Sequence, residues 1–213
     1  RFDSRGVAVD EAPVELDRSP STNPPLAGVV PLHSGWALAW PSTTVDGLGI
    51  GYLVASPTGS YPAPRCAHAP TAHPEVEPSL ARIEDGFVIG WSVRLGFELH
   101  VRARRFGPTG APLGPEILVT PADATSESLP FIAGRADYST EPGADANRWA
   151  AAYFEGSSGG RVLFRSFDGD APVGDAVQRV FHLPSDFVIV PDADGLVVGT
   201  QTSTDRGTVR AAW

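Results

Sequence analysis

The apolar residues of this chain fall in short runs separated by turn chemistry, and no helical spacing persists over a useful length. Residues 78–120 show the pattern most clearly. Residues 79–83 form a short apolar-leaning run, closed by the turn residues Glu84-Asp85-Gly86. Residues 87–91 are β-branched and aromatic on both faces, which predicts a strand buried on both sides. Residues 98–106 alternate, with Leu99, Val101 and Ala103 on one side and His100, Arg102 and Arg104 on the other. Gly107-Pro108-Thr109-Gly110 is a tight turn, and 115–119 reads as a last, outer strand. Four such strands with short connections cannot bury their faces alone, whereas sheets of this kind stacked round an axis can.

The unit recurs. Its second strand reads Gly35-Trp36-Ala37-Leu38-Ala39-Trp40, then Gly86-Phe87-Val88-Ile89-Gly90-Trp91, Arg148-Trp149-Ala150-Ala151-Ala152-Tyr153 and Gly195-Leu196-Val197-Val198-Gly199-Thr200. The steps between the second residues are 51 (87 − 36), 62 (149 − 87) and 47 (196 − 149). A period of about 50 residues belongs to propeller blades. The long step follows from an inserted loop at 134–147, rich in Gly, Asp, Glu and Pro. A proline opens the first strand of each unit at Pro25, Pro78, Pro130 and Pro184. The expected fold is therefore all-β: a single β-propeller domain over 1–213 with four four-stranded antiparallel blades, at about 26–66, 79–120, 130–180 and 184–213. A strand at 7–16 would complete the last blade; otherwise the chain is an arc of a larger propeller.

The pattern of glycine, aromatic, two β-branched residues and tryptophan, followed by Arg-Phe and spaced glycines, resembles the blade repeat of secreted bacterial β-propeller proteins. Gly86, Phe87, Val88, Trp91, Arg105, Phe106, Gly110 and Gly114 carry it. The resemblance implies the fold and a secreted or cell-surface setting. It implies no particular activity, because such repeats are reused for many purposes.

Composition narrows the classes. Gly (23) and Pro (21) make up about a fifth of the chain while 42% is hydrophobic, which is turn-rich β composition rather than disorder. Net charge is −9 and every basic residue is Arg, so a nucleic-acid partner is not expected. No apolar run approaches the ~20 residues of a membrane helix. With no Met and an opening that looks like the end of a strand, the chain is expected to be cut from something longer. The single Cys66 argues against an internal disulfide framework and predicts a free thiol or a partner's disulfide.

Candidate chemistry is sparse. Cys66, His68, His73, Glu75 and Glu77 share one stretch of loop, 66–77, and the residue types suit copper or zinc. The spacing matches no known metal motif, and Pro70 and Pro74 make a stiff, solvated loop the simpler reading, so neither metal nor cofactor is expected. Asp168-Gly169-Asp170 and Asp192-Ala193-Asp194-Gly195 lack the later acidic ligand of a calcium loop. Gly156-Ser157-Ser158-Gly159-Gly160 lacks the lysine of a phosphate loop, and no Gly-x-Ser-x-Gly elbow is present. The repeated aromatics Trp40, Trp91 and Tyr153 read as inter-blade packing, with sugar stacking as the alternative.

The expected function is a non-catalytic binding or structural module of a secreted or cell-surface protein, recognising protein or glycan through loops on one face. His68, His73, Glu75 and Asp46 are its candidate ligand-binding residues, near that face's rim. Two alternatives stand beside it. One is a polysaccharide-acting propeller hydrolase or lyase, for which Asp186 is the clearest inner-strand carboxylate. The other is a subunit that completes a larger multi-chain propeller, with a partner chain supplying further blades.

Overall fold

The computed structural model describes residues 28–42, 49–58, 61–69, 75–96, 98–121, 127–134, 147–155, 161–179, 186–192, 195–201 and 206–212, with side chains described through 175 apart from 127–129 and 161. His73, Asp46, the strand expected at 7–16 and most of the inserted loop lie outside these residues.

Every described element is a strand, as the alternation and turn spacing demand. The first sheet holds β1 (Gly28–Leu32), β2 (Gly35–Ser42), β3 (Gly49–Ala55) and β4 (Arg65–Cys66) in sequential antiparallel order. The second holds β5 (Glu75–Ile83), β6 (Gly86–Leu95), β7 (Glu98–Phe106) and β8 (Ile117–Leu118). The third holds β9 (Glu127–Gly134), β10 (Arg148–Glu155), β11 (Arg161–Asp168) and β12 (Ala171–Arg179). The fourth holds β13 (Asp186–Asp192), β14 (Gly195–Gln201) and β15 (Arg206–Ala212). Four meanders in a row, whose first strands are neighbours from one sheet to the next, are the blades of a β-propeller. Among the described residues no helix is long and apolar enough to cross a membrane.

The repeat works through the pleat. Alternate residues of a second strand point to opposite flanks of its blade. Phe87, Ile89, Trp91 and Val93 face the first sheet and pack with Val30, Ala37, Ala39, Ile50 and Tyr52. Val88 points the other way, into a cluster with Trp149, Ala151 and Tyr153 of the third sheet. The aromatic positions are thus inter-blade wedges: Trp91 and Trp149 are fully buried, and the Trp149 ring stacks on Phe167 at 4.1 Å. Trp36 holds the same repeat position on the outward flank of the first sheet and stays 38% exposed.

One expectation is corrected. The prolines do not open the first strands of the second and third blades; β5 begins three residues before Pro78 and β9 three before Pro130. Both prolines fall in β-bulges, between Val76 and Ser79 in one blade and between Ser128 and Phe131 in the other. A bulge leaves its residues outside the ladder, which is where a strand tolerates a residue without an N–H. Part of the stretch expected to be loop at 66–77 is therefore inner strand.

Candidate functional site

The inner strands run parallel to one another, so their first residues gather at one end of the ring. At that end lie Glu75 and Glu77 of β5, Glu127 of β9 and Asp186 of β13. The N–H of Ile132 donates to Ser79 Oγ at 3.0 Å and sets β5 and β9 side by side.

Glu77 is the one non-glycine residue with positive φ among those described, at 59°. It precedes Pro78 and sits in the β5 bulge, where that conformation costs about 1–3 kcal/mol. The hydroxyl of Ser92, fully buried on β6, donates to Glu77 Oε2 at 2.9 Å. In the next blade Glu127 lies three residues before its bulge proline, as Glu75 does before Pro78. Its ladder partner is Glu155, itself opposite Arg161 on the other side.

His68 and Glu75 face each other and not solvent. Their side chains are 1% and 0% exposed, and His68 Nε2 lies 2.5 Å from Glu75 Oε2. His68 Nδ1 donates to the Ala69 carbonyl at 2.5 Å. The backbone nitrogen of Ile50 and the Cys66 sulfur stand 3.2 Å and 3.3 Å from Nε2. Burial depresses the imidazole's proton affinity, but Cys66, Glu75 and the Ala69 carbonyl raise it by more, so its pKa climbs from 6.5 to about 10. That shift favours the protonated ring facing the Glu75 carboxyl group. The thiol and the carboxylate both address Nε2, which rules out a relay through the two ring nitrogens of the kind a nucleophilic triad requires. No cluster of three or more His, Cys, Asp or Glu suited to a metal occurs among the described residues.

A second layer braces this pair. Ala69 N–H donates to Glu116 Oε1 at 3.0 Å, and Arg102 holds Glu116 Oε2 at 2.8 Å, so the crossover between blades is tied to β7. The ring of Trp91 stands 6.0 Å from that of His68. Sequence reasoning singled out His68 and Glu75 but passed over Ser92 and the placement of Glu77 and Glu127. The signal was present: Glu75 and Glu127 share a Glu-x-x-Pro pattern at the same place in the repeat.

No protein-family model and no curated protein matches the chain. Solved structures do. An endo-arabinase from Bacteroides thetaiotaomicron is similar over 87% of this chain and 73% of its own, with 15% identity and a TM-score of 0.50. An α-L-arabinofuranosidase from Lactobacillus brevis (8% identity, TM-score 0.47) covers 86% of this chain and 66% of its own. A GH43 endo-arabinanase from Bacillus licheniformis (10% identity, TM-score 0.44) covers 86% and 71%. At such identities the likeness establishes the propeller fold. It also goes against the expected non-catalytic binding or structural module, since the matched propeller with a TM-score of 0.50 is an endo-arabinase.

Proposed function

We propose that the chain is a polysaccharide-acting glycoside hydrolase whose site lies at the end of the ring where the inner strands begin. The observation that carries this reading is Glu77: a strained carboxylate in an inner-strand bulge, oriented by a buried hydroxyl, at the same ring end as Glu127 and Asp186. Glycoside hydrolysis needs two carboxyl groups, one to protonate the leaving oxygen and one to attack the sugar or activate water. Glu77 and Glu127 are the proposed pair, with Asp186 as the further carboxylate of the same mouth. A glycan ligand and a secreted or cell-surface setting suit a substrate that is itself extracellular. The matched structures make arabinan the first substrate to try.

The test is sugar release from arabinan and a panel of other plant and bacterial polysaccharides, read as new reducing ends. Glu77→Gln and Glu127→Gln are each expected to lower the rate by at least about a hundredfold with the fold intact, as removal of an acid or base does. Absence of release from every polysaccharide by the unmodified chain would overturn the reading. So would unchanged rates in both variants.

A further inference from the structure

A buried ion pair beside a strained backbone position has a consequence that rests on the reading above. We infer that His68 is a positioning residue: paired with Glu75, it pins the first residue of β5 and so holds Glu77 in its left-handed, bulged conformation.

A left-handed residue that is not glycine persists only where its surroundings over-determine it. On its downstream side Glu77 is held by the ladder from Ser79 to Gly90 and by the bond from Ile132 N–H to Ser79 Oγ. On its upstream side the ladder is two residues long, Val76 opposite Ser92 and Glu75 opposite Val93. What fixes that short end is the Glu75 side chain, which reaches across to the first blade. Glu75 faces an apolar neighbourhood, where Val93 and Ile50 are fully buried. A buried carboxylate there is costly unless paired, and losing its partner is typically worth several kcal/mol. An aliphatic residue would fill the same space without that cost, so packing alone does not explain the pair.

His68 is itself held so that it cannot follow Glu75 if the strand shifts. Its Nδ1 is committed to Ala69, whose own N–H is committed to Glu116. The space its ring occupies exists because residue 49 is glycine: a Cβ on Gly49 would collide with Nε2 and Cε1 of His68. The anchor therefore runs from β3 through the imidazole to the start of β5, two residues from Glu77.

The experiment uses the full chain, labelled with 13C and 15N, and two variants. Gly49→Ala drives the ring from its place while leaving His68, Glu75 and Glu77 chemically intact. His68→Gln removes the cation. In both, the Glu77 Cα and Cβ shifts are expected to leave the left-handed range while the Trp149 and Phe106 signals of the core stay put. On a polysaccharide that the unmodified chain cleaves, kcat is expected to fall about a hundredfold, with KM changed less than about threefold. Glu75→Gln, which can still bond to the imidazole, is expected to retain the Glu77 shifts and most of kcat. Left-handed Glu77 signals that persist in a folded His68→Gln chain would overturn the inference, whatever Gly49→Ala does. A chain that cleaves no polysaccharide counts against the hydrolase reading alone, because the Glu77 shifts still decide the positioning role.

Discussion

His68 keeps its proton far above the ordinary imidazole range because the groups that reward its charge outweigh the burial that penalises it. The stability consequence has a definite sign. A histidine whose folded pKa is raised contributes fully below its unfolded value near 6.5, and the contribution is lost as pH rises through about 10. The urea midpoint of the unmodified chain is therefore expected to fall between those two values by more than that of His68→Gln. Parallel pH curves for the two proteins would show that the pair does not couple to folding. At this scale the sequence was partly legible. Clustered Cys66, His68 and Glu75 in a proline-stiffened stretch announced something unusual, but exposure was the natural assumption for a polar loop. Only the fold shows that residue 68 turns inward beside Trp91 and that a glycine nineteen residues upstream, Gly49, makes room for it.

The elements follow their local chemistry closely wherever glycine closes a hairpin. Gly86 opens β6 with a φ of 149°, and a Cβ there would run into the carbonyl of Phe106. Gly96 also has positive φ, at 67°, but nothing lies near its missing side chain. Gly86→Ala is expected to cost clearly more than the ~1 kcal/mol that backbone conformation alone imposes at Gly96→Ala. Chemical denaturation of the two variants compares them directly, and equal losses would mean that the hairpin relaxes around the added methyl. Strand interiors were readable because alternation and β-branching state their own period. Their starts were not. Pro78 and Pro130 look like strand openers, since a proline lacks the ladder's N–H. A bulge solves the same problem while letting pairing resume on the far side, and no local pattern distinguishes the two outcomes.

Across the whole molecule, stability comes from flank-to-flank packing between successive blades, supplemented by latches. Arg105 Nε meets Asp170 Oδ1 at 2.6 Å between the second and third blades, and Arg165 Nη1 donates to the Val119 carbonyl at 2.8 Å. The same repeat position should therefore carry very different weight in different blades. Trp149→Ala, in a closed inter-blade wedge, is expected to cost about 3–5 kcal/mol. Trp36→Ala, on a flank that leaves its ring 38% exposed, should cost far less, and similar thermal shifts for both would contradict this account. What the sequence determined by itself is the propeller: a fifty-residue period, alternation within each strand and glycine-rich turns admit few other ways to bury the apolar faces. What only the tertiary structure decided is which inner-strand carboxylates share one end of the blades. Glu77 and Glu127 are fifty residues apart in the chain, and their neighbourhood depends on parallel inner strands and on two bulges. Whether a polar residue becomes an exposed contact or a buried anchor depends on the sheet that comes to rest against it, and for His68 and Glu75 that sheet belongs to the neighbouring blade.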